Sequence, residues 1–114
     1  MDLVQDVTKK LKELMDSVGR GLGHRTSKAI HRYVQQYPGR SDATVRFALA
    51  DQIEQRILPK LRGIDPKQDL EMDAINRLVD IVRKDLADEP MADQIVAASN
   101  HHAFHWSGID RSGE

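Results

Sequence analysis

At 114 residues, with 39% hydrophobic and 31% charged side chains and only 4% aromatics, the chain has the length and composition of one globular domain packed by aliphatic residues. The absence of cysteine excludes disulfides and thiolate chemistry, and no apolar run approaches the roughly 20 residues of a membrane span, so a cytoplasmic protein with no membrane partner is expected. A formal charge of −1 speaks against a wholesale nucleic-acid coat, but residues 1–40 carry eight Lys/Arg against four Asp/Glu while residues 41–114 carry nine against fourteen, so any polyanion should approach the N-terminal third.

Residues 2–18 place Leu3, Val4, Val7, Leu11, Leu14, Met15 and Val18 at helical spacing, with Lys9, Lys10, Lys12, Glu13 and Asp16 on the other side. Asp2 is the expected cap, and Gly19 the expected stop. A second helix is predicted from residue 24 or 26 to Tyr37, with Ala29, Ile30, Tyr33, Val34 and Tyr37 inward, ended by Pro38-Gly39. Its other face reads Ser27, Lys28, His31, Arg32, Gln35, Gln36, basic and amide-rich. Such a stripe serves solubility in most helices, and it is also the candidate nucleic-acid or partner face.

A third helix is predicted over residues 42–58 after the Ser41-Asp42 cap. Its line Val45, Leu49, Ile53, Ile57, widened by Phe47, Ala48, Ala50 and Leu58, implies central burial or a surface for a partner helix. Pro59, which has no N–H for the carbonyl of Gln55, should kink or end it. The fourth is predicted to start with Asp65 as cap, Pro66 at the first position and Gln68 in a capping box, and to run on Leu70, Ala74, Ile75, Leu78, Ile81, Val82 and Leu86 to about residue 87. A shorter fifth should follow Glu89-Pro90 on Met91, Ile95 and Val96. Residues 101–106 alternate enough for a short strand or an extended tail, and 107–114 should fray. The expected fold is all-α, a compact bundle of four to five helices over residues 1–100 with an extended C-terminal tail over 101–114.

No Walker A loop, dinucleotide fingerprint, zinc pattern or nucleophile elbow occurs, so an autonomous enzyme is not expected. Asp69, Glu71 and Asp73 read as dipole-favouring acids rather than a catalytic pair. His101, His102 and His105 have metal-ligand spacing only if helical, and no metal site is assigned. Gly19-Arg20-Gly21-Leu22-Gly23-His24-Arg25-Thr26 is the segment that points to chemistry. It puts Arg25 in a helix first turn, against the dipole, where a guanidinium gains if a phosphate arrives. The other reading makes Arg25 a surface residue or a partner of Asp16 or Glu13.

The order of that segment opening a helix Ala29-Ile30-His31-Arg32-Tyr33-Val34, then Ala48-Leu49-Ala50-Asp51-Gln52-Ile53 running on to Ile57-Leu58-Pro59-Lys60-Leu61-Arg62-Gly63, resembles the C-terminal helical lid of McrB-type AAA+ NTPases, the motor subunits of modification-dependent restriction systems. The resemblance covers about residues 3–63 and extends weakly to Phe104 and Trp106. The chain has His24 where the family usually has an aromatic and Arg62 where it often has histidine. By position Arg25 matches the sensor 2 arginine that reaches the nucleotide phosphates, with Gly23 and His24 adjacent. The resemblance implies a non-catalytic lid working with an AAA+ core domain and the neighbouring subunits of a ring, with ATP or GTP and Mg in the assembled enzyme and nucleic acid as an indirect partner. Because the Walker A and B core is absent, it also implies either an excised C-terminal piece beginning at an added Met1 or a small chain that kept only the lid. The other function class is a small helical nucleic-acid-binding or protein-interaction module using Lys28, His31, Arg32, Gln35 and Gln36.

Overall fold

A computed structural model describes residues 3–39, 41–100 and 103–106, and every regular element among them is helical. Asp2, His101, His102 and residues 107–114 lie outside the described residues, and with them the expected N-terminal cap and most of the expected tail.

Helix α1 (Leu3–Ser17) buries Val4, Val7, Leu11, Leu14 and Met15 as its spacing requires. It ends as predicted at Gly19, whose φ of +70° lets the Arg20 N–H reach the Met15 carbonyl (3.0 Å) and its own N–H reach that of Asp16 (3.1 Å). Helix α2 (His24–Gln36) buries Ile30 fully and packs on α1 and on the start of the next helix.

That next helix, α3, differs from expectation. Asp42–Gln52 is capped by Ser41, whose Oγ accepts from the Thr44 N–H at 3.1 Å, but the helical rod does not stop before Pro59. It passes through a wide π turn at Ile53–Ile57, in which the Leu58 N–H donates to the Ile53 carbonyl, and continues as Leu58–Leu61. The wide turn accommodates the missing proline N–H, so the ring costs one hydrogen bond rather than the helix. Gln52, 1% exposed, steadies the turn by accepting from Arg56 Nε at 2.7 Å. The broad apolar surface of residues 45–58 is spent inside the bundle, apart from Phe47, which is 62% exposed. Ile57 is fully buried in the wide turn; Ile57→Ala is expected to cost about 2–5 kcal/mol in denaturant unfolding, and a loss under about 0.5 kcal/mol would place that face at the surface.

Helix α4, residues 69–85, starts three residues later than predicted. The Asp65 carboxylate accepts from the Lys67 N–H (2.9 Å) and the Asp65 carbonyl from the Gln68 N–H (3.2 Å), so residues 65–68 close a turn. Helix geometry begins at Asp69, Gln68 makes no side-chain cap bond, and Leu70 is exposed rather than on the buried face. The helix ends in a second π turn, Ile81–Asp85, and Ala87 then takes a left-handed φ of +53°. Helix α5 (Glu89–Ala98), capped by the Asp88 side chain at the Met91 N–H (3.2 Å), folds back on α4.

Residues 103–106 form neither helix nor strand and belong to the same core. The Phe104 N–H donates to the Ile64 carbonyl (2.8 Å) and the Gly63 N–H to the Phe104 carbonyl (3.0 Å), which seats Phe104, 1% exposed, and Trp106 among the apolar side chains of the bundle. No described helix is long and apolar enough to cross a membrane.

Candidate functional site

The α1–α2 connection fixes where Arg25 stands. A Cβ on Gly21 would meet Asp16 Oδ1, so this stretch lies against the last turn of α1, and α2 begins at that end of the bundle. Arg20 anchors the same stretch by donating from a guanidinium nitrogen to the carbonyls of Lys60 (2.8 Å) and Arg62 (3.3 Å). Leu22 is buried, and Gly23 is the N-cap with extended backbone (φ −69°, ψ 160°).

Glycine offers no side-chain acceptor, and the first turn of α2 holds no acid, so amides at this N-terminus are without a side-chain cap. His24 and Arg25 are both exposed there. Arg25 makes no hydrogen bond or ion pair with any described residue; neither Asp16 nor Glu13 holds it. Among the described residues, the alternative pairing to α1 is therefore absent.

Further along α2, Lys28, Arg32, Gln35 and Gln36 are exposed and His31 is half-buried. His24, Ser27, Lys28, His31, Arg32 and Gln35 line one shallow groove of about 450 Å³. The inner side of the helix is held by Tyr33, whose hydroxyl donates to Asp51 Oδ2 at 3.1 Å on α3; desolvation, then that carboxylate, hold the phenol above its ordinary pKa. Tyr37 lies beside it, the two rings tilted by 52° at a centroid distance of 5.7 Å.

Several cations elsewhere on the surface are paired. Lys10 bridges Asp85 (2.8 Å) and Asp6 (3.2 Å), which hold its ammonium pKa above the ordinary value, the Asp85 hydrogen bond most. Arg77 pairs with Asp73, and Arg83 with Glu89 and Asp93. Asp69 and Glu71 sit at the first turn of α4, and no described group of three or more His, Cys, Asp and Glu could hold a metal ion. His105 is exposed in the C-terminal segment. Sequence reasoning missed an apolar groove of about 510 Å³ between Arg46 and Phe47 on α3 and Leu86, Ala87 and Pro90 at the α4–α5 turn. The signal available for it was Phe47 itself, off the line of Val45, Leu49 and Ile53.

No curated protein and no solved structure matches the chain. The family model described as a domain of unknown function, DUF8727, matches residues 1–101, a span that takes in the five helices of the described residues and stops short of Phe104 and Trp106. The chain belongs to the DUF8727 family.

Proposed function

We propose that this chain is the helical lid of an AAA+ NTPase of the McrB type, without catalysis of its own, in which Arg25 senses the nucleotide phosphates held by a core domain. The observation that carries the reading is the state of Arg25: an exposed guanidinium without a carboxylate partner among the described residues, in the first turn of a 13-residue helix whose N-terminus has no side-chain cap. That combination suits one phosphate group, met by a planar five-donor cation and by free amide N–H groups along the helix dipole. It does not suit a whole nucleotide, because the cradle of a P-loop is missing from the sequence. ATP or GTP with Mg is therefore bound by the core, and the lid adds a contact that exists only when the two close. Such a contact biases the open and closed states by its difference in strength between them. Neighbouring subunits of the ring complete the assembly, and nucleic acid is a partner of the whole machine.

The purified chain is expected to show no ATP or GTP hydrolysis above a heat-killed control. In a ¹⁵N chemical-shift titration, MgATP or MgGTP should move the amides of His24 and Arg25 and of Gly23 beside them, with an affinity near about 1 mM, equivalent to about −4 kcal/mol. Turnover by the isolated chain, or shifts that leave residues 23–25 unmoved, would overturn the reading.

A further inference from the structure

We propose that the outer face of α2 binds the phosphate backbone of double-stranded DNA without reading its sequence, with Lys28 and Arg32 as the principal contacts and His24, His31 and Gln35 beside them. The inference goes beyond the lid reading and does not rest on it. A nucleotide would meet α2 end-on at Gly23 to Arg25, whereas a duplex would lie along its side.

Charge segregation is the first support. Helix α2 contains no Asp or Glu, and its His24, Lys28, His31 and Arg32 make no hydrogen bond or ion pair with a described residue. Elsewhere many cations are committed, Lys10, Arg77 and Arg83 to carboxylates, Arg20 and Arg46 to backbone carbonyls, Arg56 to Gln52, while Lys9, Lys12, Lys60, Arg62 and Lys67 are as unpaired among the described residues as those of α2 but are not gathered on one acid-free helix. The fold brings no acid onto this stripe, although fourteen of the eighteen acids lie after residue 40. Unneutralised lysine and arginine in a row are what releases counterions from DNA.

The polarity of the face decides what kind of polyanion fits. No exposed residue of α2 is apolar; the large exposed hydrophobics Phe47, Leu70, Met72 and Val96 are all on other helices. A protein partner would want an apolar or aromatic centre to bury, while a phosphate backbone wants the Lys, Arg, Gln and Ser donors present here. A single strand would want aromatic platforms, and Tyr33 and Tyr37 are half-buried, with Tyr33 committed to Asp51. In length, the row from His24 to Gln35 spans roughly 16 Å at 1.5 Å per residue, the reach of about five phosphates of one strand at 3.4 Å.

The test is fluorescence anisotropy of the full chain with a labelled mixed-sequence duplex of about 20 base pairs, in a salt series from about 50 to 200 mM. Binding in the range of about 1–100 µM is expected, falling steeply with salt. Lys28→Ala/Arg32→Ala should weaken it at least about tenfold and lower the salt slope by about two. Lys67→Ala/Lys84→Ala removes the same charge from exposed positions off α2 and should stay within about twofold. Absence of binding at about 50 mM salt, or equal losses from both pairs, overturns the proposal. So does a Lys28→Ala/Arg32→Ala variant that dissociates an oligomer of this chain in sedimentation while DNA binding is unchanged. If the duplex fails to bind while MgATP still moves residues 23–25, only the lid reading stands; if the reverse holds, only the DNA face does.

Discussion

In an NTPase carrying this chain as its lid, Arg25→Ala is expected to lower nucleotide turnover by one to several orders of magnitude, with roughly 10³–10⁵ for arginines supplied in trans as the upper guide. The size follows from where the charge acts. An exposed side chain with no partner within the bundle contributes little to folding, so melting of the isolated chain should move by less than about 0.5 kcal/mol equivalent. On the proposed lid reading its effect would fall on the closed complex, where a guanidinium facing phosphate away from water acts most strongly. Arg25→Lys should recover only part of the loss, because an ammonium is a point charge without the planar fork. Steady-state turnover and a thermal melt measured side by side check this, and turnover within twofold of the parent would leave Arg25 a surface residue.

Phe104→Ala is expected to produce the largest loss of stability in the chain, about 3–5 kcal/mol, lowering the melting temperature by more than about 10 °C. Phe104 is the largest of the fully buried side chains, and its backbone is paired on both sides with Gly63 and Ile64. Such a loss is a large share of the 5–15 kcal/mol by which domains are stable at all. A chain shortened to residues 1–100 should be destabilised at least as much. Urea unfolding of both variants reads this directly, and a change in Phe104→Ala below about 0.5 kcal/mol would mean that the tail does not hold the core.

Much of this was legible in the order of residues, where the deciding interactions are local. The period of Val4, Val7, Leu11 and Leu14, the Gly19 stop and the Ser41 cap each depend on neighbours within a few positions, and each stands as expected. The exposed place of Arg25 at a helix start was legible for the same reason, since Gly23 and the following amphipathic run mark that start. What was not legible depends on partners far along the chain or on a choice between two local bonds. Pro59 forecast a kink or an ending, and of the two the structure has no ending: a wide turn closed between Ile53 and Leu58 interrupts the rod without stopping it. Asp65 and Pro66 read as a helix start and instead close a turn. Nothing in residues 81–85 announced a second wide turn, and the burial of Phe104 needs a backbone pairing forty residues away. The acid-free stripe of α2 was visible in sequence; that no described acid from α1, α3 or α4 comes across to it was not.

Arg20 gives the bundle a mechanical property. Its guanidinium ties the stretch before α2 to the carbonyls of Lys60 and Arg62, and the next residues, Gly63 and Ile64, are bonded to Phe104. Loss of the Arg20 guanidinium would therefore release the start of α2 from the end of α3 while leaving the Gly63–Phe104 pairing in place. The glycines shape this corner but do not make it a hinge. One line of hydrogen bonds thus joins the start of α2, the end of α3 and the C-terminal segment among the described residues.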